Sequence, residues 1–224
     1  MSIPDRVAIV GGHGKVALRL IPILLHRGHE VVALARGDEQ LHELSRLGAA
    51  PRKLDIEAAD EAAFSSAFGG CDAVVFAAGG GPDGNIERKR TVDLEGSLKS
   101  IAAAKHRRIA RFLQISATGV DAEPDPERGE VWAAYMHAKR DADAALRASG
   151  LAWTILRPGI LTDGPGTGCI TIGEHVMPYS IPRVDVAQTI ASCLSRPLTA
   201  GHQWEIITGP EPIGAALDAL TAAG

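Results

Sequence analysis

The chain has 224 residues, 46% of them hydrophobic and 22% charged, proportions that suit one folded domain, 1–224, with a self-sufficient core and exclude a largely disordered chain. Aromatic residues are 4% and the formal net charge is −4, so neither the basic surplus nor the stacking rings of a general nucleic-acid binder are present. Three widely spaced cysteines, Cys71, Cys169 and Cys193, form no CxxC pair; buried thiols are expected rather than a disulfide framework or a zinc ribbon. The opening MSIPDRVAIV is no charged leader with a long apolar run, and no apolar stretch approaches the roughly 18 residues of a membrane span. A cytoplasmic protein without a membrane or nucleic-acid partner is expected.

In chain order, short apolar runs alternate with helical stretches. RVAIV (6–10) reads as a strand buried on both faces and is followed by a helix over 15–28, in which Pro22 predicts a kink or a tight first half. EVVALA (30–35) is the second strand, 38–48 the second helix, and the weaker run APRKLDI (50–56) the third strand. A helix over 60–68 leads to the strand DAVVFAA (72–78), and a long helix over 88–107 to RFLQIS (111–116). An acidic, proline-rich loop (121–130) then precedes a helix over 131–150 and the strand WTILRP (153–158). Several helices end in Gly just past their last apolar position. This rhythm predicts an α/β fold with right-handed crossovers, a doubly wound, mostly parallel sheet with helices on both faces.

After residue 159 the rhythm changes. Residues 160–182 are rich in Gly and Pro, with one candidate strand at CITIG (169–173), before a helix (184–195), a strand (203–208) and a short helix (213–223). Ligands of open α/β sheets lie outside the carboxyl ends of the strands. A segment entering there is expected to be a substrate-side loop region, a small C-terminal substrate-covering portion, with His175, Met177 and Tyr179 as candidate pocket residues.

The first strand runs directly into Gly11-Gly12-His13-Gly14-Lys15-Val16-Ala17. The spacing fits G-x-G-x-x-A and G-x-x-G-x-x-A, and it lies between a strand and a helix, the context in which backbone N–H groups and a helix N-terminus receive a pyrophosphate. A P-loop is excluded, because Ile9 stands where its first glycine belongs and Val16 where its magnesium-binding hydroxyl belongs. The second strand ends in Arg36 rather than an acid, which favours the 2′-phosphate of NADP(H); Asp38 and Glu39 nearby leave NAD open. By position, Asp55 is expected near the adenine, and the small Ala77, Ala78 and Gly79 leave room for the cofactor. His26 and His29 lie at a helix end where they complement its dipole, and no metal site is expected.

Tyr135 and Lys139 fall at i and i+4, on one face of a predicted helix. An ammonium beside a phenol favours the phenolate, so the pair suits general acid/base work on a carbonyl or alcohol exchanging a hydride with nicotinamide. Together with the glycine loop, Ser116 after the fifth strand and the Arg157-Pro158-Gly159 strand end, the YxxxK pair resembles the short-chain dehydrogenase/reductase superfamily. The likeness is to its atypical NAD(P)H-binding branch of sugar-epimerase-like and flavin-reductase-like proteins. The resemblance implies a Rossmann-like domain and the catalytic set Ser116, Tyr135 and Lys139, with Thr118 as the alternative hydroxyl. It implies that Lys139 also binds the nicotinamide ribose and lowers the tyrosine pKa, and it adds Pro158 to the cofactor contacts. Asp93 stands where the family carries an Asn in its proton relay. The expected activity is that of an NADP(H)-dependent oxidoreductase or epimerase-like enzyme on a small molecule, in a monomer or homodimer. The alternatives are a non-catalytic NADP(H) sensor and a flavin or quinone reductase.

Overall fold

The computed structural model describes residues 3–81 and 83–222. The ends of the predicted domain, 1, 2, 223 and 224, lie outside the described residues, and with them the last position of the predicted C-terminal helix, Ala223. The strands are β1 (Arg6–Val10), β2 (Glu30–Ala35), β3 (Ala50–Lys53), β4 (Ala73–Phe76), β5 (Arg111–Ile115), β6 (Ala152–Pro158), β7 (Ile160–Thr162), β8 (Cys169–Gly173), β9 (Ser180–Pro182), β10 (His202–Thr208) and β11 (Glu211–Pro212). The helices are α1 (Ala17–His26), α2 (Asp38–Arg46), α3 (Glu61–Ala67), α4 (Ile86–Arg88), α5 (Gly96–His106), α6 (Glu130–Arg147), α7 (Arg183–Leu194) and α8 (Ile213–Ala222).

Among the described residues nine strands form one sheet in the order β11-β8-β10-β6-β5-β4-β1-β2-β3. From β3 to β10 the neighbours are parallel; β8 joins β10 antiparallel, and β11 joins β8 antiparallel. The chain reverses its direction of travel across the sheet beside β1, between β2 and β4. That is the switch point at which a doubly wound sheet opens a crevice. In register Val10 lies opposite both Leu34 and Phe76, so the glycine loop and the ends of β2 and β4 emerge side by side.

Strand alternation divides the core into two layers. Val7 and Ile9 face one layer with Leu20, Ile21 and Leu24 of α1 and Val186 and Ile190 of α7. Ala8 and Val10 face the other with Phe64 of α3, Ile101 of α5 and Leu146 of α6. All twelve of these side chains but Ile101, which is 6% exposed, are at most 1% exposed, and burying each of those larger than alanine stabilises the fold by about 1.5–3 kcal/mol.

Four local expectations change. Helix α1 passes through Pro22 unbroken, because Pro22 is exposed and the carbonyl its missing N–H leaves unpaired can turn to water. The long helix predicted over 88–107 is instead α4, a π-helical turn over Lys89–Glu95, and α5. Residues 160–182 hold more than the one expected strand: CITIG is β8, which joins the main sheet between β10 and β11, while β7 and β9 pair in a separate two-stranded sheet, segments of three residues too short for apolar periodicity to reveal. Of the thiols, Cys71 and Cys193 are buried and Cys169 only partly so; burial pushes Cys193 up to about 12, with Arg111 pulling the other way.

Candidate functional site

Two cavities at the carboxyl edge of the sheet share Ala77, Ala78 and Gly79 and form one cleft. The first, about 320 Å³, lies over the ends of β1, β2 and β3 and is lined by Gly11, His13, Gly14, Arg36, Asp55 and Arg88, among others. The second, about 620 Å³, lies between the glycine loop, the β4 end and α6.

The three glycines of the loop have different reasons to be glycine. Gly11 turns the chain at φ +78°, and a Cβ there would stand 2.7 Å from Ala78 Cα. Gly12 is a packing residue: its N–H donates to the Leu34 carbonyl at 2.8 Å, and a Cβ would meet Ala33 and Leu34 at 2.9 Å. It lines neither cavity. Gly14 has no left-handed φ, and a Cβ there would meet only the carbonyls of Gly11 at 3.1 Å and Ala77 at 3.7 Å, so its bare backbone faces the cleft. Lys15 and Val16 continue the loop into the second cavity. His13 Nε2 lies 2.6 Å from Glu43 Oε2 on α2, and that bond holds Glu43 below the usual carboxylate range.

At the far end of the first cavity stand two guanidiniums and a carboxylate. Glu57 Oε2 is 3.7 Å from Arg36 Nη1 and 3.4 Å from Arg88 Nε. Arg88, which the sequence reading missed, donates from Nη1 to Asp83 at 2.7 Å, while its buried Nε makes no hydrogen bond to the described residues. Asp55 uses Oδ1 to accept the Glu57 N–H at 3.0 Å. A dinucleotide fits this end of the cleft: it offers phosphate oxygens to a bare backbone at a helix start and an acceptor to the buried Arg88 Nε–H, which faces Glu57 without a well-formed hydrogen bond.

In the second cavity α6 presents Tyr135 and Lys139 together, as the four-residue spacing predicts. Lys139 is 5% exposed. Its Nζ lies 3.1 Å from Asp93 Oδ1, donates to the Ile115 carbonyl at 3.2 Å, and is 5.8 Å from the Tyr135 ring centre. Asp93, fully buried in the π-helical turn, accepts the Gly80 N–H through Oδ2 at 2.8 Å; such an over-wide turn carries the carboxylate across to α6. Burial pulls the Lys139 ammonium down, but Asp93 and Tyr135 outweigh it and the group ends above its ordinary value. For Tyr135 burial wins: the phenol lies above its ordinary value, with Lys139 pulling it down and Asp93 and Asp143 pushing it up. The net lowering expected from the Lys139 charge alone is thus overturned.

Ser116 lines the cavity, but its hydroxyl donates to Asp143 Oδ2 at 2.8 Å. Asp143 also receives Gln114 Nε2 at 2.8 Å and Arg157 Nε at 2.9 Å, and Arg157 forks onto Asp121 at 2.5 and 3.0 Å. With its proton spent below, Ser116 presents lone pairs to the cavity. Thr118 lines neither cavity; nor does Pro158, whose carbonyl accepts the Thr118 N–H at 3.1 Å. From the C-terminal portion Leu161 and Arg183 reach the cavity, whereas His175 does not and Met177 and Tyr179 are 81% and 61% exposed. Residues missed in the sequence are Lys89, Arg128 and Trp132. Trp132 carried a usable signal, standing one helical turn before Tyr135 on the same predicted helix.

Among the described residues no group of His, Cys, Asp and Glu could hold a metal ion, and no helix is long and apolar enough to cross a membrane. His29 instead uses Nδ1 on the Pro4 carbonyl at 2.7 Å.

Residues 11–197 match the sequence profile of an NAD(P)H-binding family. An uncharacterized sugar epimerase of Bacillus subtilis, YhfK, is 34% identical over 216 residues, covering 96% of this chain and 100% of that protein. A solved structure from Bacillus halodurans, described as an NAD-dependent epimerase/dehydratase, is 39% identical with a TM-score of 0.88, over 96% of this chain and 99% of that one. The oxidoreductase ylbE of Lactococcus lactis is 27% identical with a TM-score of 0.81, over 97% of each chain.

Proposed function

Because the chain belongs to the NAD(P)H-binding family of atypical short-chain dehydrogenase/reductase-like proteins, we propose that it is an NADP(H)-dependent oxidoreductase or epimerase acting on a small molecule. The observation that carries this reading is the opening of Tyr135 and Lys139 into a cavity continuous with the glycine-loop cleft. A nicotinamide cofactor lying along that cleft supplies hydride-transfer chemistry. The chain's own residues do the rest. Gly11 and Gly14 leave backbone for a pyrophosphate, and Arg36 with Arg88 faces a 2′-phosphate. Lys139 hydrogen-bonds the nicotinamide ribose. Tyr135, as the neutral phenol, gives a proton to a substrate carbonyl oxygen; in the reverse direction the phenolate takes one from an alcohol. Ser116 accepts from a substrate hydroxyl and fixes its direction, while the apolar walls Val16, Ile115 and Leu161 exclude water.

The test is NADPH oxidation against carbonyl, quinone, flavin and nucleotide-sugar panels, with Tyr135→Phe alongside wild type. Loss of the acid should lower kcat by about 10²–10⁴ and leave cofactor affinity unchanged. A second reading, an NADP(H)-binding module without turnover, draws on the Asp93 carboxylate that neutralises Lys139. No oxidation of NADPH by any panel member and no epimerised product from the nucleotide sugars, with tight binding, selects it; full activity of Tyr135→Phe on quinones or flavins selects a reductase that needs no acid.

The cofactor choice is tested by calorimetric titration of NADP(H) and NAD(H). A charge-assisted bond from Arg36, which is 58% exposed, is worth about 10-fold in affinity after solvent screening. Arg36→Asp should remove that preference and flatten the salt dependence of NADP(H) binding. Equal wild-type affinities for the two cofactors would end the NADP(H) assignment.

A further inference from the structure

The second cavity carries an uneven charge. Lys15, Lys89, Arg128, Lys139 and Arg183 line it against the single carboxylate of Asp93. Three of these cations are answered: Lys139 by Asp93, and Lys15 and Arg183 by Asp163 at 2.8 and 3.0 Å. Lys89 and Arg128 have no carboxylate within ion-pair distance among the described residues.

Lys89 is 5% exposed, and among the described residues its ammonium reaches one acceptor, the Gly81 carbonyl. An ammonium has three donors, and a buried one with a single carbonyl partner and no counter-ion is costly to keep. Arg128, in a 3₁₀ turn just before α6, lays its guanidinium over the Trp132 ring at 3.4 Å from the ring centre. Trp132 in turn packs against Tyr135, with ring centres 5.6 Å apart. The indole fixes the plane of the guanidinium and leaves its N–H edge free for an oxyanion. Val131 and Leu161 supply apolar wall around the same space.

We propose that the substrate carries an oxyanion, a carboxylate or phosphate, which Arg128 and Lys89 bind while an apolar body rests along Val131, Trp132 and Leu161. The proposal rests on the reading that this cavity receives the substrate. The two cations bind the oxyanion and not the reacting oxygen, so they set specificity and take no part in proton transfer.

Three probes with one naphthyl body separate the outcomes: 2-naphthoate, 2-naphthyl phosphate and methyl 2-naphthoate, titrated calorimetrically into the protein saturated with NADP⁺, so that the glycine loop cannot collect the anions. At least one anion should bind about tenfold or more tightly than the neutral ester, the expected value of one charge-assisted bond. Arg128→Gln, on an exposed turn, and Lys89→Gln should each reduce that preference. Which anion wins identifies the oxyanion. A neutral ester that binds as tightly as both anions, or a preference that survives the Arg128→Gln/Lys89→Gln double variant in folded protein, overturns the proposal. The readout needs no turnover: anion preference without NADPH oxidation or epimerised product would remove the enzyme reading and keep this one, and turnover without anion preference would do the reverse.

Discussion

At the scale of single residues, the decisive feature is that Lys139 answers to Asp93. An isolated ammonium near Tyr135 would favour the phenolate. A buried carboxylate 3.1 Å from that ammonium cancels much of the field, and burial of the phenol completes the effect. A phenol held above its ordinary value stays a proton donor until the pH rises through that raised value, so donor-dependent activity should persist into alkaline solution. In Asp93→Asn the amide oxygen still accepts the Gly80 N–H, but the negative charge is gone. Both Tyr135 and Lys139 then lose their protons at lower pH, because Asp93 raises each of them. The basic limb of the kcat/KM–pH profile should therefore move to lower pH, and so should the phenolate absorbance titration measured on a Tyr179→Phe background. An unmoved limb with an active variant would show that Asp93 does not govern the acid.

At the scale of elements, one carboxylate ties the C-terminal portion to the glycine loop. Asp163, just after β7, meets Lys15 of the loop, Arg19 of α1 at 3.1 Å and Arg183 at the start of α7. These cations hold it below the usual carboxylate range, chiefly through the Lys15 hydrogen bond. The β7–β9 sheet that carries it is small and sends Leu161 to the cavity wall, so this carboxylate fastens a weakly built flap to a rigid edge. Asp163→Asn should raise amide hydrogen exchange in β7 and the turn after it, 160–168, while the urea midpoint of global unfolding stays in place, because these ion pairs lie outside the two core layers. Exchange in 160–168 equal to wild type would mean that packing alone holds the flap.

At the scale of the whole molecule, sequence and structure part at an identifiable boundary. The α/β class, the parallel sheet, the glycine loop at the first switch point and the pairing of Tyr135 with Lys139 all follow from periodicity and local spacing. Each depends on residues within about two helical turns or one strand of each other, where chain geometry alone sets the face. Gly12 and Gly14 look alike in the sequence, yet one packs on Ala33 and the other opens on the cleft, because only the neighbouring strand decides which is covered. The π-helical turn that buries Asp93, the Asp143 carboxylate that takes the Ser116 proton, and the meeting of Arg88 with Arg36 over Glu57 join segments 20 to 50 residues apart. So does the convergence of Lys89 and Arg128 on one cavity. Local propensity is silent on such contacts. The sequence by itself determined the scaffold and the place of the Tyr135–Lys139 pair and the glycine loop, since short-range periodicity and backbone sterics specify those. Only the tertiary structure decided which charges are answered and which are left for a ligand, because charge compensation is a property of distance in space and not of distance along the chain.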